Sequence, residues 1–432
     1  MRLIDDATAT ALGGSRPADR WLAWAWRGSR LVAPEPLQII DWSGTDTAGD
    51  NTKIGQQLSI TVADPDGTLG AWRHEDPLSV AGTKVQLIYR VGGAGAVNFG
   101  WFRVTENEPD EVFDSRIIDE YGYMEPDSDL PPHKRRVFIS RAVVKLTLVD
   151  LTINPDLDKL EAPESPASGA SIIGEWRRLT QDHFPTVLDP GVTDRPVSTK
   201  LVYDRERLEA GQDLLGRISA GYRMGGDGEC HVYPYDSDPV LRIEPRAALI
   251  SVRRKQSLTG LYNRWVVEGK QNSDGQPVRA GANIDTGPLK YGGDHGRVPF
   301  HYQSEMIETY EQALAYAIEL RDKFLSTLAL ELTAHITPNP ALQAGDRVEI
   351  GCPVAAGHVA YFTGSVTAVN RSGDTLPRET QLTVSCSYLD VLAGLARTDW
   401  AKNLTSERPE LTWDRMPATW GTLPETTWTD LP

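Results

Sequence analysis

The chain has 432 residues, a length that predicts two to four domains. Its formal net charge of −16 excludes a protein whose main task is to grip nucleic acid with a broad basic face. Hydrophobic residues make up 40% of the chain and charged residues 24%, which is typical of a globular protein and argues against wholesale disorder.

The distribution of apolar residues and cysteines narrows the class of protein further. No run of about 18 apolar residues occurs, so we expect no membrane-spanning helix. The start lacks the apolar core of a signal peptide, so we expect assembly in a host cytoplasm. Cys230, Cys352 and Cys386 are odd in number and widely spaced, which excludes a disulfide framework and favours buried core thiols.

The first predicted domain, residues 1–153, is β-rich. Apolar and polar side chains alternate at 58–62, 85–91 and 97–101, which is typical of half-buried strands, and the β-rich run at 137–153 closes the domain. Residues 64–67, Asp-Pro-Asp-Gly, are interpreted as a hairpin turn, because a Ca²⁺ loop needs further acidic positions. We interpret 92–95 as a turn and the acidic stretch 106–111 as a solvated loop.

The second predicted domain, residues 154–245, is an α+β module. A helix is predicted to begin at Ser171 and to end before Phe184-Pro185. A second helix is predicted to begin near Asp204. Its expected buried stripe is Leu208, Leu215, Ile218 and Tyr222. The glycine-rich residues 225–228 predict a turn, followed by a strand at 230–234.

The third predicted domain, residues 246–398, is β-barrel-like with one long helix. Strands are predicted at 264–268, 328–336, 347–350 and 382–388, and 269–300 is expected to be irregular because it is rich in Gly and Pro. Thr309 and Gln312 form a capping box. The expected apolar stripe of the helix they begin is Tyr310, Ala313, Leu314, Ala317, Leu320 and Phe324. The fold class is therefore multidomain α+β and β-rich, with two β-barrel or sandwich-like domains around the module.

The last segment, residues 399–432, is an extended tail rich in Trp and Pro. It repeats Thr-Trp-x-x-(Leu or Met)-Pro three times, and the prolines forbid a long helix. Twelve tryptophans are a high count beside eight phenylalanines. We expect Trp101, Trp176 and Trp265 in the cores. The predicted partner-binding residues of the tail are Trp413, Trp420, Trp428, Pro417 and Pro424, with a disordered end as the alternative.

A search for chemistry finds no catalytic motif. His295 and His301 lie near Asp294, but solvated loop histidines explain them better than a metal or acid–base site. Residues 216–221 come near a Gly-x-Ser-x-Gly elbow but have one residue too many and fall within a predicted helix. The basic runs 133–136 and 253–255 fit either a solvated patch or pairing with acidic neighbours. We predict no enzyme, no metal site and no cofactor.

A family resemblance runs through residues 30–395. Its signal is the order of short motifs, each weak alone: Leu58-Ser-Ile-Thr-Val-Ala-Asp64-Pro-Asp66-Gly67-Thr-Leu69, Trp72, Asp76-Pro77-Leu78, Gly82-Thr-Lys-Val85, Tyr203-Asp-Arg205, Leu214-Leu215, Tyr262-Asn263-Arg264-Trp265-Val266-Val267, Tyr291-Gly292-Gly293, Gly296-Arg297-Val298-Pro299, Gln312-Ala313, Pro338-Asn339-Pro340-Ala-Leu342 and Gly345-Asp346. In these motifs the chain resembles the tail-hub or minor tail proteins of long-tailed bacteriophages, especially those that infect actinobacteria.

The resemblance implies a non-enzymatic hub at the virion tail tip. Such a hub is expected to form a homotrimeric ring with pseudo-sixfold outer symmetry, and no family site residue carries over to this chain. The implied partners are the distal tail protein, the tape-measure protein and receptor-binding or other minor tail proteins. DNA would pass through the lumen only transiently, and an acidic lumen would keep it from sticking. The alternatives are a receptor- or glycan-binding tip protein that uses exposed Trp, and a tail-associated cell-wall hydrolase.

Overall fold

The computed structural model describes residues 1–398, except 3, 13–18, 50–51, 66, 93, 121–132, 246, 257, 259, 272–275, 305–306, 356–357 and 374–376. The described strands are β1 Arg20–Arg27, β2 Arg30–Leu31, β3 Ile39–Thr47, β4 Gln56–Asp64, β5 Thr83–Arg90, β6 Ala96–Glu120, β7 His133–Asp150, β8 Thr186–Leu188, β9 Ala220–Met224, β10 Cys230–Pro234, β11 Leu241–Ile243, β12 Leu249–Lys255, β13 Arg264–Gln271, β14 Pro277–Asn283, β15 Pro299–Gln303, β16 Ala329–Ile336, β17 Arg347–Ala355, β18 His358–Gly373 and β19 Pro377–Ser387. The described helices are α1 Asp6–Leu12, α2 Ile153–Leu157, α3 Ile172–Thr180, α4 Arg207–Gly216, α5 Tyr310–Thr327 and α6 Tyr388–Ala396.

One large, mainly antiparallel sheet joins the two ends of the described chain. Its strand order is β12-β16-β19-β18-β3-β4-β7-β6-β5-β1-β2, and β11 and β17 join it at β18. This order is an open path, so the described residues form large sheets rather than a closed barrel. The prediction of a multidomain β-rich fold is confirmed.

Two hydrophobic cores lie under this sheet. The first core is built from alternating residues of β1 and β3–β7, for example Ile60 and Leu146. The second core is built from β11, β16–β19 and α6, for example Val348 and Leu382. Strand β3 pairs with β18 in antiparallel register from Thr47–Ala368 to Trp42–Gly373, so the sheet runs without a break from one core to the other.

Two smaller units have separate three-stranded sheets. The α+β module packs α3 and α4 on the three-stranded sheet β8-β10-β9 around buried Trp176. A second unit packs α5 on the sheet β14-β13-β15, with Ala313 and Ala317 against Val267. Residues 246–398 therefore contribute to two separate clusters of buried side chains.

Several local predictions are confirmed. The Ser171 side chain accepts a hydrogen bond from the Gly174 N–H and caps α3. Thr309 and Gln312 form the expected capping box at the start of α5. The three cysteines are buried, and burial raises the pKa of Cys352 to about 11 and of Cys386 to about 12.

Three predictions about loops are wrong. The stretch 106–111 lies inside β6, where it pairs with β7 and turns its acidic side chains to water. Residues 64–67 do not close a hairpin, because β4 pairs with β3 and β7 and the chain continues to β5 through a long loop. Residues 269–300 contain β14, whose small side chains at Ala280 and Ala282 fit under α5.

Two helix predictions need correction as well. Helix α4 begins at Arg207, after Glu206 rather than Asp204, and ends at Gly216. Ser219 then takes a left-handed φ of 54°, which starts β9 and places Tyr222 on a strand. In α5, Tyr310 is 55% exposed and therefore is not part of the buried stripe.

Candidate functional site

The predicted partner-binding residues lie outside the described part of the chain. Trp413, Trp420, Trp428, Pro417 and Pro424 all belong to residues 399–432. Of the tryptophans expected in cores, Trp176 and Trp265 are buried, and Trp101 is half-buried against the α+β module and Trp26. Among the described residues, no helix is long and apolar enough to span a membrane.

The residues that the sequence offered as catalytic candidates do not come together in a catalytic site. His295 Nε2 contacts the Leu261 carbonyl oxygen at 3.1 Å, and His301 is exposed on β15. Ser219 lies between a helix and a strand, outside the helix that was predicted to contain it. A nucleophile elbow has the opposite order, a strand followed by a helix.

The main cleft with converging charged groups lies where the α+β module meets the second core. Its volume is about 430 Å³. Asp189, Arg223 and His231 line it from the module, and Asp346 lines it from the turn before β17. Strand pairing positions the two module residues relative to each other, because Arg223 on β9 lies directly opposite His231 on β10.

The turn between β9 and β10 is held closely against the first core. The Gly225 N–H donates to the Glu229 carbonyl at 2.8 Å, and Gly228 has a φ of +86°. A Cβ on Gly226 would lie 1.9 Å from the Asn98 carbonyl oxygen of β6, so only glycine fits there. The predicted glycine-rich turn is confirmed, and close packing fixes its position.

His231 lies between two carboxylates. Its Nδ1 is 2.9 Å from Asp189 Oδ1, and its Nε2 is 3.1 Å from Asp227 Oδ2. The hydrogen bond with Asp189 is the largest cause of the raised pKa of His231, and Asp227 adds to it. Both ring nitrogens face carboxylate oxygens, so the protonated ring can donate one hydrogen bond to Asp189 and one to Asp227.

Asp346 connects this cleft to the second core. Its Oδ2 accepts the Gln343 N–H at 2.8 Å, and its Oδ1 accepts from Arg223 Nη1 at 2.6 Å. Burial opposes ionisation of Asp189, but the hydrogen bond from His231 and the charge of Arg223 together lower the pKa of Asp189. The carboxylates of the cleft are therefore balanced by nearby positive groups, since Arg223 and the N-terminal ammonium of Met1 both pair with Asp346.

A second groove, of about 480 Å³, crosses the sheet at the β18-β3-β4-β7 junction. Its lining is mostly small and polar, and Thr45 Oγ1 contacts Asn370 Oδ1 at 2.9 Å across the β3–β18 pairing. The groove offers a hydrogen-bonding surface over the continuous sheet.

Sequence reasoning missed the Asp189–His231–Asp227 set. The search looked for histidine pairs and known motifs, whereas these groups come from one hairpin and from the end of β8. One signal was present: Asp227, Glu229 and His231 lie close together in sequence, at and just after the predicted glycine-rich turn.

The comparisons with known proteins identify the fold. No protein-family model and no curated protein matches the sequence. A tail protein from Neisseria meningitidis MC58 is similar in structure, with a TM-score of 0.52, 12% identity, and coverage of 85% of this chain and 96% of that chain. A 43 kDa tail protein of the prophage MuSo2 from Shewanella oneidensis also has a TM-score of 0.52, with 10% identity and coverage of 85% and 98%.

These likenesses show that the chain has the fold of these two tail proteins. They extend over nearly the whole length of both tail proteins, so the shared fold includes more than one unit of this chain. The actinobacterial host expected from the sequence is not supported by either comparison.

Proposed function

We propose that the protein is a non-enzymatic structural component of a phage-like tail and acts as the hub at the tail tip. The observation that carries this proposal is the fold shared over 85% of the chain with two tail proteins, one of which comes from a prophage. The four residue ranges 1–153, 154–245, 246–398 and 399–432 remain our proposed division of the chain into domains.

The joined sheet suits a ring subunit. Each chain supplies two β-rich cores of similar size, and the β3–β18 pairing fixes their relative orientation. Three such chains would place six β-rich cores around one ring. This number agrees with the homotrimer of pseudo-sixfold symmetry that the family resemblance implies. The polar groove over this junction is a suitable surface for a neighbouring subunit or for the distal tail protein.

A cryo-electron microscopy map of the assembled tail tip tests this role. We expect three copies of the chain in one ring between the distal tail protein and the receptor-binding components, with the tape-measure protein ending inside. We also expect acidic side chains at the lumen, because the net charge is −16 and repulsion keeps passing DNA from sticking. A position away from the tip, or a basic or neutral lumen, would contradict the proposal.

The segment 399–432 is the proposed contact with a partner. It follows α6, where Leu389 is 73% exposed and Leu392 is 45% exposed, so the described chain ends beside apolar surface. Its tryptophans suit interface anchoring, since Trp provides a large contact area at a low entropic cost.

Deletion of residues 405–432 should block tail assembly or release a partner from the tail. A full-length variant with Trp413, Trp420 and Trp428 changed to Ala should show the same defect, measured by particle counts and tail composition. The matched control is Trp72→Ala, because Trp72 is 85% exposed outside the segment. Normal particles from both altered chains would refute the proposed contact.

A further inference from the structure

We propose that Asp227, Glu229 and His231 bind a divalent transition-metal ion of the Zn²⁺ type. Their ligand atoms, one from each side chain, all lie within 4.8 Å of one another. This is the only group of three such side chains with this closeness in the part of the chain that the structure describes.

The backbone arranges the three side chains before any ion binds. Asp227 lies in the turn between β9 and β10, Glu229 directly precedes β10 and His231 is on β10, and this path of the chain brings their ligand atoms together. The Glu229 N–H donates to Asp227 Oδ1 at 3.0 Å, and the turn packs on β6 through Gly226. A fixed turn reduces the entropy lost when the ligands are ordered.

The orientation of the imidazole is the strongest argument. Asp189 lies 2.9 Å from Nδ1 of His231, and a carboxylate in that position fixes the proton on Nδ1. Nε2 then points at Asp227, 3.1 Å from its Oδ2, where either a proton on Nε2 or a metal ion between the two atoms satisfies both groups. The same carboxylate–histidine pairing orients histidine ligands in metal sites.

The nearby positive groups are directed at other carboxylates, since the N-terminal ammonium of Met1 pairs with Asp346 as Arg223 does. Arg223 is the positively charged residue opposite His231, and its guanidinium pairs with Asp346 at 2.6 Å and contacts Asp189 at 3.6 Å. Asp227 is exposed and Glu229 is half-buried, so an ion can reach them from solvent.

The ligand chemistry selects the class of metal. One imidazole nitrogen and two carboxylate oxygens suit Zn²⁺, which takes three protein ligands plus water in open sites. Ca²⁺ and Mg²⁺ prefer all-oxygen sites, so an imidazole in the set disfavours them. The adjoining cleft, which Asp227 and His231 line, leaves room for water at the remaining coordination positions.

Titration of the full-length, chelator-treated protein with Zn²⁺ tests the site. We expect His231→Gln and Asp227→Asn each to remove one zinc per chain from the bound stoichiometry, or to weaken that binding by about 10–100-fold. The matched control is His301→Gln, since His301 is exposed on β15, away from the group, and this variant should bind as the parent does. Circular dichroism checks that each variant is folded.

Two results would overturn the proposal. One is a parent chain that binds no zinc, which would mean that only a proton lies between His231 and Asp227. The other is zinc binding that is unchanged in both folded variants. Asp227→Asn keeps the test decisive if His231→Gln fails to fold, because the Asp227 side chain is 43% exposed. The outcome does not depend on the role in the tail, because binding is measured on the isolated chain.

Discussion

Replacing Arg371 with methionine should lower the free energy of unfolding by about 3–5 kcal/mol, because it leaves a buried carboxylate with too little compensating charge. Arg371 Nη1 is 2.8 Å from Asp46 Oδ2, and the Asp46 side chain is 1% exposed. The guanidinium also donates to the Leu342 carbonyl oxygen at 2.5 Å. Chemical denaturation followed by circular dichroism measures the change.

The location of this pair explains the size of the expected effect. Asp46 is on β3 and Arg371 is on β18, so the pair lies on the pairing that joins the two cores. Arg2 is the other positive group near Asp46, at 3.7 Å, and its own hydrogen bonds go to the carbonyl oxygens of Phe99, Pro340 and Leu342. Burial lowers the pKa of Arg2 to about 9, which leaves Arg2 charged at pH 7, but its greater distance from Asp46 makes it the weaker partner.

A surface arginine provides the matched control for Arg371. Arg253 is exposed on β12, at the edge of the sheet, and Arg253→Met should change the stability by less than about 0.5 kcal/mol. A loss below about 1 kcal/mol in Arg371→Met would show that the buried pair does not hold the two cores together.

Replacing Trp176 with alanine should destabilise the α+β module by about 3–5 kcal/mol, since the deletion leaves a large cavity. Trp176 is fully buried on α3, and its ring centroid is 4.9 Å from that of Tyr222 on β9. A Cβ on Gly211 of α4 would lie 2.7 Å from the indole, so the two helices are in close contact. Hydrogen exchange of α3 and α4 measures the loss locally.

The control for this variant is Trp72→Ala. Trp72 is 85% exposed, and its removal should change the stability by less than about 0.5 kcal/mol. Equal protection of α3 and α4 in the parent and in Trp176→Ala would contradict the assignment of Trp176 as the centre of the module.

Local patterns explain which parts of the fold were predictable. Alternation at 58–62 and 85–91 identified β4 and β5, and the Thr309–Gln312 capping box identified the start of α5. These signals depend on residues close in sequence. The prediction of a loop at 106–111 was wrong because charged residues are typical of loops, whereas here they lie on the solvent-facing side of β6, which pairs with β7.

Neither the long-range strand pairing nor the candidate site could be predicted from local patterns in the sequence. No local pattern in the sequence indicates that one edge of β3 pairs with the distant strand β18. The same holds for the cleft, where the turn before β17 brings Asp346 to Arg223 of the module. Strand β1, with Trp21, Trp24 and Trp26, was also missed, because its apolar residues do not alternate with polar ones.

The β3–β18 pairing has a consequence for synthesis on the ribosome. Asp46 and its partner Arg371 are 325 residues apart in sequence, so one edge of β3 stays unpaired until most of the chain has been made. At translation rates of roughly 5–20 residues per second, this delay is about 15–65 s. An open strand edge is prone to pair with other chains, so nascent copies of this protein are exposed to aggregation during that interval and stand to gain from chaperone protection.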